Sequence, residues 1–153
     1  MTPSEFVYQI KTHSALETQS LAAKLASQIL SGDIIALTGN LASGKTTFTQ
    51  GLTNYFHIDE YAASPTFTYM NEYHAGKYTL LHIDAYRLKS GAELESMGFW
   101  EFIEDGAIAI IEWADIVSEI LPQGIINISF KADLIHPDLR EIVITSPREL
   151  DLN

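Results

Sequence analysis

The segment Gly39-Asn-Leu-Ala-Ser-Gly-Lys-Thr-Thr47 constrains this chain more than any other. It fills the pattern G-x-x-x-x-G-K-S/T with Gly39, Gly44, Lys45 and Thr46, and it follows Asp33-Ile-Ile-Ala-Leu-Thr38, an apolar run of strand length. Strand, glycine loop and helix form the context in which this pattern makes a phosphate cradle. Successive backbone N–H groups turn inward as an anion nest, and the next helix adds its positive N-terminal end. Gly39, Asn40, Leu41, Ala42, Ser43 and Gly44 are therefore candidate nucleotide-binding residues. Lys45 is expected to place its charge on the β- and γ-phosphates, and the Thr46 hydroxyl to ligate Mg²⁺. Thr47 has two readings: a contact to an α-phosphate, or an ordinary first-turn helix residue.

The flanking pattern predicts an α/β domain. Ser14-Ala-Leu-Glu17 reads as a capping box that opens a helix. Leu21, Ala22, Leu25, Ala26 and Ile29 continue it at helical spacing, with Gly32 as a stop. A helix after the loop presents Phe48, Leu52 and Phe56 on one face. Residues 66–73 and 78–84 read as a β-hairpin around a turn at 74–77, and 91–97 as a helix. The runs 107–113, 125–130 and 141–145 read as strands, and Phe99, Trp100 and Phe102 as core. Helices alternating with apolar strands imply a mostly parallel central sheet, helices on both faces and antiparallel additions. The loop then lies at the carboxyl end of the sheet, where such folds bind ligands.

Nucleotide hydrolysis also needs an acid near the metal, commonly at a strand end. Leu80-Leu-His-Ile-Asp84 and Ile108-Ala-Ile-Ile-Glu112 both end in a carboxylate. Either alone reads equally as a solvated strand end or a helix cap. Together with the loop they are expected to face the metal end of the nucleotide, and periodicity does not choose the direct ligand. His82 and Asp84 share a strand face at i, i+2, an arrangement that also suits a metal. The phosphate loop makes Mg²⁺ at Asp84 the simpler account.

Guanine readers carry Asn-Lys-x-Asp after a core strand. Here Phe130-Lys131-Ala-Asp133 puts a Phe where the base-reading Asn belongs, so ATP is preferred and Lys131 and Asp133 read as surface charges. For the base, the segment 12–18 and the C-terminal strands are both available as flanks.

Composition removes other chemistries. The 153-residue length fits one domain spanning 1–153. Cysteine is absent, which excludes thiol catalysis and disulfides. The five histidines are scattered without metal spacing. No secretory pattern opens the chain and no apolar run is long enough to span a membrane, so a soluble cytoplasmic protein is expected. A formal charge of −11, from 9 Lys plus Arg against 20 Asp plus Glu, makes nonspecific nucleic-acid binding unfavourable. An acidic surface suits a basic partner, or simply solubility.

Several segments in order give a more specific resemblance: the loop at 39–47, SPTF at 64–67 with Asn71-Glu-Tyr73, His82-Ile-Asp84-Ala-Tyr86-Arg87-Leu88, and Ile111-Glu112-Trp113. Over roughly residues 14–145 the chain resembles the TsaE family, also called YjeE. The resemblance implies a phosphate-loop ATPase that uses ATP and Mg²⁺ and turns over slowly alone. It implies work with the TsaB and TsaD proteins in threonylcarbamoyl transfer to adenosine 37 of tRNA, with tRNA contacted indirectly. By motif, Lys45 and Thr46 handle phosphate and metal, Asp84 matches an essential Asp, and Glu112 matches the strand-end acid. Trp113 is placed beside the nucleotide, and 64–66 resembles a segment that senses the γ-phosphate. The family usually reads G-x-L-G-A/S-G-K-T, so Ala42 replaces a glycine. If that position takes positive φ, alanine costs about 1 kcal/mol.

Two rivals use the same loop. A small-molecule kinase would need an acceptor pocket and an Arg-rich lid, and the chain has no Arg cluster. A nucleotide-gated binding module would bind ATP without cleaving it, and the two strand-end acids weigh against that.

Overall fold

Ile34, Ile35, Ala36 and Leu37 are buried without a break. Four consecutive buried residues need cover on both faces, which is the signature of a central parallel strand. The computed structural model describes residues 5–40, 42–58 and 69–153. Among them, seven strands form one sheet: β1 Phe6–Thr12, β2 Ile34–Gly39, β3 Met70–Ala75, β4 Tyr78–Asp84, β5 Ile108–Glu112, β6 Ile126–Ala132 and β7 Arg140–Ser146. Their order is β1-β7-β6-β2-β5-β4-β3. Strands β6, β2, β5 and β4 are mutually parallel, and β3, β7 and β1 join antiparallel at the edges.

Alternate residues of β2 feed two cores. Ile35 and Leu37 pack with Leu21 and Leu25 of α1 (Ala15–Ala26) and Phe48 and Leu52 of α2 (Lys45–Tyr55). Ile34 and Ala36 pack on the other face with Leu94 of α3 (Gly91–Ser96), Phe99 of α4 (Phe99–Glu104) and Val117 of the 3₁₀ segment Ala114–Ile120. The second layer stops short of one edge. In β6, Ile126, Ile128 and Phe130 are buried while Asn127, Ser129 and Lys131 are exposed. The helices on both faces expected from sequence therefore hold for the centre of the sheet, and β6 is covered on one face.

Local chemistry explains most boundaries. Ser14 Oγ caps α1 by accepting from Glu17 N at 3.0 Å. The Glu17 carboxylate accepts from His13 N at 2.6 Å, one residue earlier than a capping box requires. Helix α1 ends at Ala26 rather than at Gly32, and Ile29 is buried from the irregular segment that follows. The hairpin turn narrows to Gly76-Lys77, with Gly76 at φ +61°, and Ala75 remains in β3. Helix α2 packs closely on α1: a Cβ on Gly51 would lie 2.7 Å from both Ala22 Cβ and Gln19 O.

Candidate nucleotide site

The loop between β2 and α2 is shaped by two positions. A Cβ on Gly39 would lie 2.6 Å from Phe130 O and from Ser43 Oγ, so only glycine lets the loop leave the sheet beside β6. Ala42 sits at φ +61°, the left-handed region that sequence comparison with the family raised as a possibility. Leu41 and the segment 59–68, which includes SPTF, lie outside the described residues. Gly44, at φ +114°, precedes the first residue of α2.

Lys45 opens α2 and is buried. Its Nζ donates to Gly39 O at 2.5 Å and Asn40 O at 2.8 Å, and lies 4.0 Å from the centre of the Trp113 ring. Burial holds the ammonium below the usual lysine value, with Glu112, Asp115 and Asp84 pulling the other way. Gly39 and Asn40 thus contribute carbonyls to the lysine, behind the residues that face the cleft.

The strand-end acids converge because of register. Asp84 pairs with Glu112 across parallel β4 and β5, and Leu37 of β2 pairs with Glu112 on its other side. Glu112 is buried. Its Oε1 accepts from Thr46 Oγ1 at 2.9 Å, and its Oε2 lies 2.5 Å from His82 Nε2. Asp84 is half-buried and accepts from Tyr86 N at 3.0 Å. Burial pushes its carboxyl above the ordinary value. The Glu112 charge pushes the same way, and the Tyr86 N–H, His82 and Lys45 oppose.

A cleft of about 640 Å³ opens between these groups. It is lined by Ala42, Ser43, Gly44, Lys45, Thr46, Thr47, Asp84, Glu112 and Trp113, all expected at the site from sequence, by Tyr86, quoted in the resemblance without a site role, and by Arg140, which sequence did not single out. Tyr86 follows Asp84 by two residues and its ring lies 4.9 Å from that of Trp113. Trp113 itself turns out of β5 at φ +59°. Arg140 begins β7. Its guanidinium donates to Pro137 O at 2.5 Å, to Leu139 O at 3.1 Å and to Ala42 O at 3.4 Å. Local sequence carries no signal for it, because the contact to Ala42 spans 98 positions.

Beside the cleft, Ser14, Ala15, Thr18, Gly44, Thr47, Asp138 and Arg140 line a pocket of about 90 Å³. The two flanks left open by sequence, the start of α1 and the C-terminal hairpin, meet there. Phe130 is a core residue edge-on to Phe48, with ring centres 5.4 Å apart. Asp133 is more than a surface charge: its Oδ1 accepts from Ile135 N and His136 N and shapes the β6–β7 turn.

An α/β sheet with a glycine loop at the carboxyl end of its parallel strands, facing two strand-end acids, defines the phosphate-loop class of α/β folds. The family model described as "Threonylcarbamoyl adenosine biosynthesis protein TsaE" matches residues 12–141, and the chain belongs to this family. A Bacillus subtilis relative, "tRNA threonylcarbamoyladenosine biosynthesis protein TsaE", is 36% identical and covers 89% of this chain and 84% of its own length. A Rickettsia bellii protein of the same name is 33% identical over 88% of this chain and 92% of its own. A crystal structure of Bacillus subtilis YdiB aligns with a TM-score of 0.79 at 30% identity, covering 95% of this chain and 88% of that one.

Proposed function

We propose that this chain binds and hydrolyses ATP as an accessory subunit in forming N6-threonylcarbamoyladenosine at adenosine 37 of tRNA, acting with the TsaB and TsaD proteins. Membership of the TsaE family and the names of its relatives support the process. The observation that carries the ATPase reading is the Thr46–Glu112 hydrogen bond, which joins the phosphate loop to the end of β5 beside Asp84. The protein works as one cytoplasmic domain and meets tRNA through its partners. Among the described residues no helix is long and apolar enough to cross a membrane.

In this reading the triphosphate lies along the loop, with its oxygens accepting from the loop amides and the N-terminal end of α2. The Lys45 ammonium exchanges the carbonyls of Gly39 and Asn40 for β- and γ-phosphate oxygens. Thr46, Glu112 and Asp84 are hard oxygen donors of the kind Mg²⁺ takes, and they would hold it. Held there, Mg²⁺ would supply positive charge that offsets the charge building on the phosphates. Asp84 orients the attacking water and accepts its proton. The water oxygen bonds to the γ-phosphorus, the bond to the β–γ bridging oxygen breaks, and ADP and phosphate leave. Trp113 and Tyr86 wall the phosphate end. The base takes the adjoining pocket between Ser14, Thr18 and Arg140.

The test is ATP turnover of Lys45→Ala and Glu112→Ala with TsaB and TsaD present. Both variants are expected to lose nearly all activity, and wild-type rates in either would sink the assignment. Bound ATP left uncleaved under single-turnover conditions would point instead to a nucleotide-gated binding module.

A further inference from the structure

His82 stands where a hydrophobic residue would be the cheaper choice. It is 0% exposed on β4, between Leu81 and Ile83, which are also fully buried. An imidazole buried in such a strand loses hydration that one good hydrogen bond only partly restores. Its Nε2 lies 2.5 Å from Glu112 Oε2, and among the described residues its Nδ1 has no hydrogen-bond partner. With a carboxylate accepting, Nε2 carries the hydrogen, and the polarity of the ring is directed at one oxygen of Glu112.

That carboxylate is divided. Oε2 faces His82 across the sheet, and Oε1 faces Thr46 at the start of α2. The terminal torsion of a glutamate is broad, so burial alone does not choose its rotation. A fixed N–H donor on one oxygen sets the plane of the group and hence the direction of the other. Metal sites use outer partners in this way, and removing them typically costs 10–100-fold in metal affinity.

We propose that His82 is a positioning residue that aims Glu112 Oε1 at the Thr46 hydroxyl and so at the metal end of the nucleotide. This rests on the reading of Glu112 as an acid of the Mg²⁺ site. The His82–Asp84 metal pair suggested by strand spacing gives way to a different pairing: the imidazole serves the acid on the neighbouring strand.

The experiment titrates Mg²⁺ into the full chain saturated with a non-hydrolysable ATP analogue, read by calorimetry, beside the affinity of that analogue in EDTA. His82→Leu keeps an apolar residue at the position and deletes the donor. His82→Gln places an amide N–H near the position of Nε2, and His82→Asn places one too short to reach. The Leu and Asn variants are expected to bind Mg²⁺ 10–100-fold more weakly, with the Gln variant within about threefold of wild type and EDTA affinities unchanged. If the Leu variant does not fold, the Gln and Asn pair decides. Equal Mg²⁺ affinity in Asn, Gln and wild type overturns the proposal, as does a parallel loss of analogue affinity in EDTA. Glu112→Gln separates the two claims. If it weakens Mg²⁺ binding while the His82 variants do not, the metal reading of Glu112 stands and the positioning role falls. If Glu112→Gln leaves Mg²⁺ binding unchanged, both fall.

Discussion

Ala42 holds a left-handed backbone at φ +61° without being glycine. The Cβ clash in that region costs about 1–2 kcal/mol, part of which glycine returns as chain entropy. Ala42→Gly is therefore expected to raise stability by about 1 kcal/mol, read as a higher urea midpoint at unchanged slope. Asp84 carries a second local tension. Its folded carboxyl binds a proton more readily than the unfolded one, whose ordinary value is near 3.8. Between those two values the native state holds more protons than the unfolded state, so this group's contribution to stability falls as pH rises. Asp84→Asn removes that fall. Its stability relative to wild type is expected to grow as pH rises above about 4 and to level off once the native carboxyl is ionised. Parallel midpoint-against-pH curves would contradict this origin.

At the scale of elements, the cleft is framed by α2, and α2 is placed by its contact with α1. Gly51 allows that contact, since any Cβ there meets Ala22 and the Gln19 backbone at 2.7–2.8 Å. Backbone atoms cannot rotate away as a side-chain tip can. Gly51→Ala improves helix propensity by about 1 kcal/mol, yet overpacking of this kind typically costs about 1–3 kcal/mol. Net destabilisation is expected in urea unfolding, together with weaker nucleotide binding as the N-terminal end of α2 shifts. A gain in stability would mean that the two helices separate freely.

Across the whole molecule, the chain returns at its end to its most constrained loop. Arg140, the first residue of β7, hangs over Ala42 and Gly44 and lines both the cleft and the pocket beside it. In a protein of formal charge −11, a guanidinium at this place offsets part of the repulsion between the acids and an incoming triphosphate. Charge-assisted hydrogen bonds contribute about 1.5–3 kcal/mol each. Arg140→Ala is expected to weaken ATP-analogue binding by about tenfold or more, measured by calorimetry in EDTA, while leaving the unfolding midpoint nearly unchanged. An unaltered affinity would remove Arg140 from the nucleotide site.

The loop, Lys45, Thr46, Asp84, Glu112 and the parallel core were legible in sequence because their signals are contiguous. A glycine pattern follows an apolar strand, and two apolar runs each end in an acid. Strand β1 and helix α4 were not read as elements. β1 is an edge strand whose residues are mostly exposed or half-buried, and the aromatics of α4 announce burial without a period long enough to name a helix. The sequence by itself determined that a glycine loop would join a core strand to a helix and that acids would stand at strand ends. Tertiary structure decided which of them face each other. The Asp84–Glu112 register, the turn of His82 toward Glu112 and the reach of Arg140 to Ala42 all depend on strand pairing between distant segments, and no local pattern encodes that pairing.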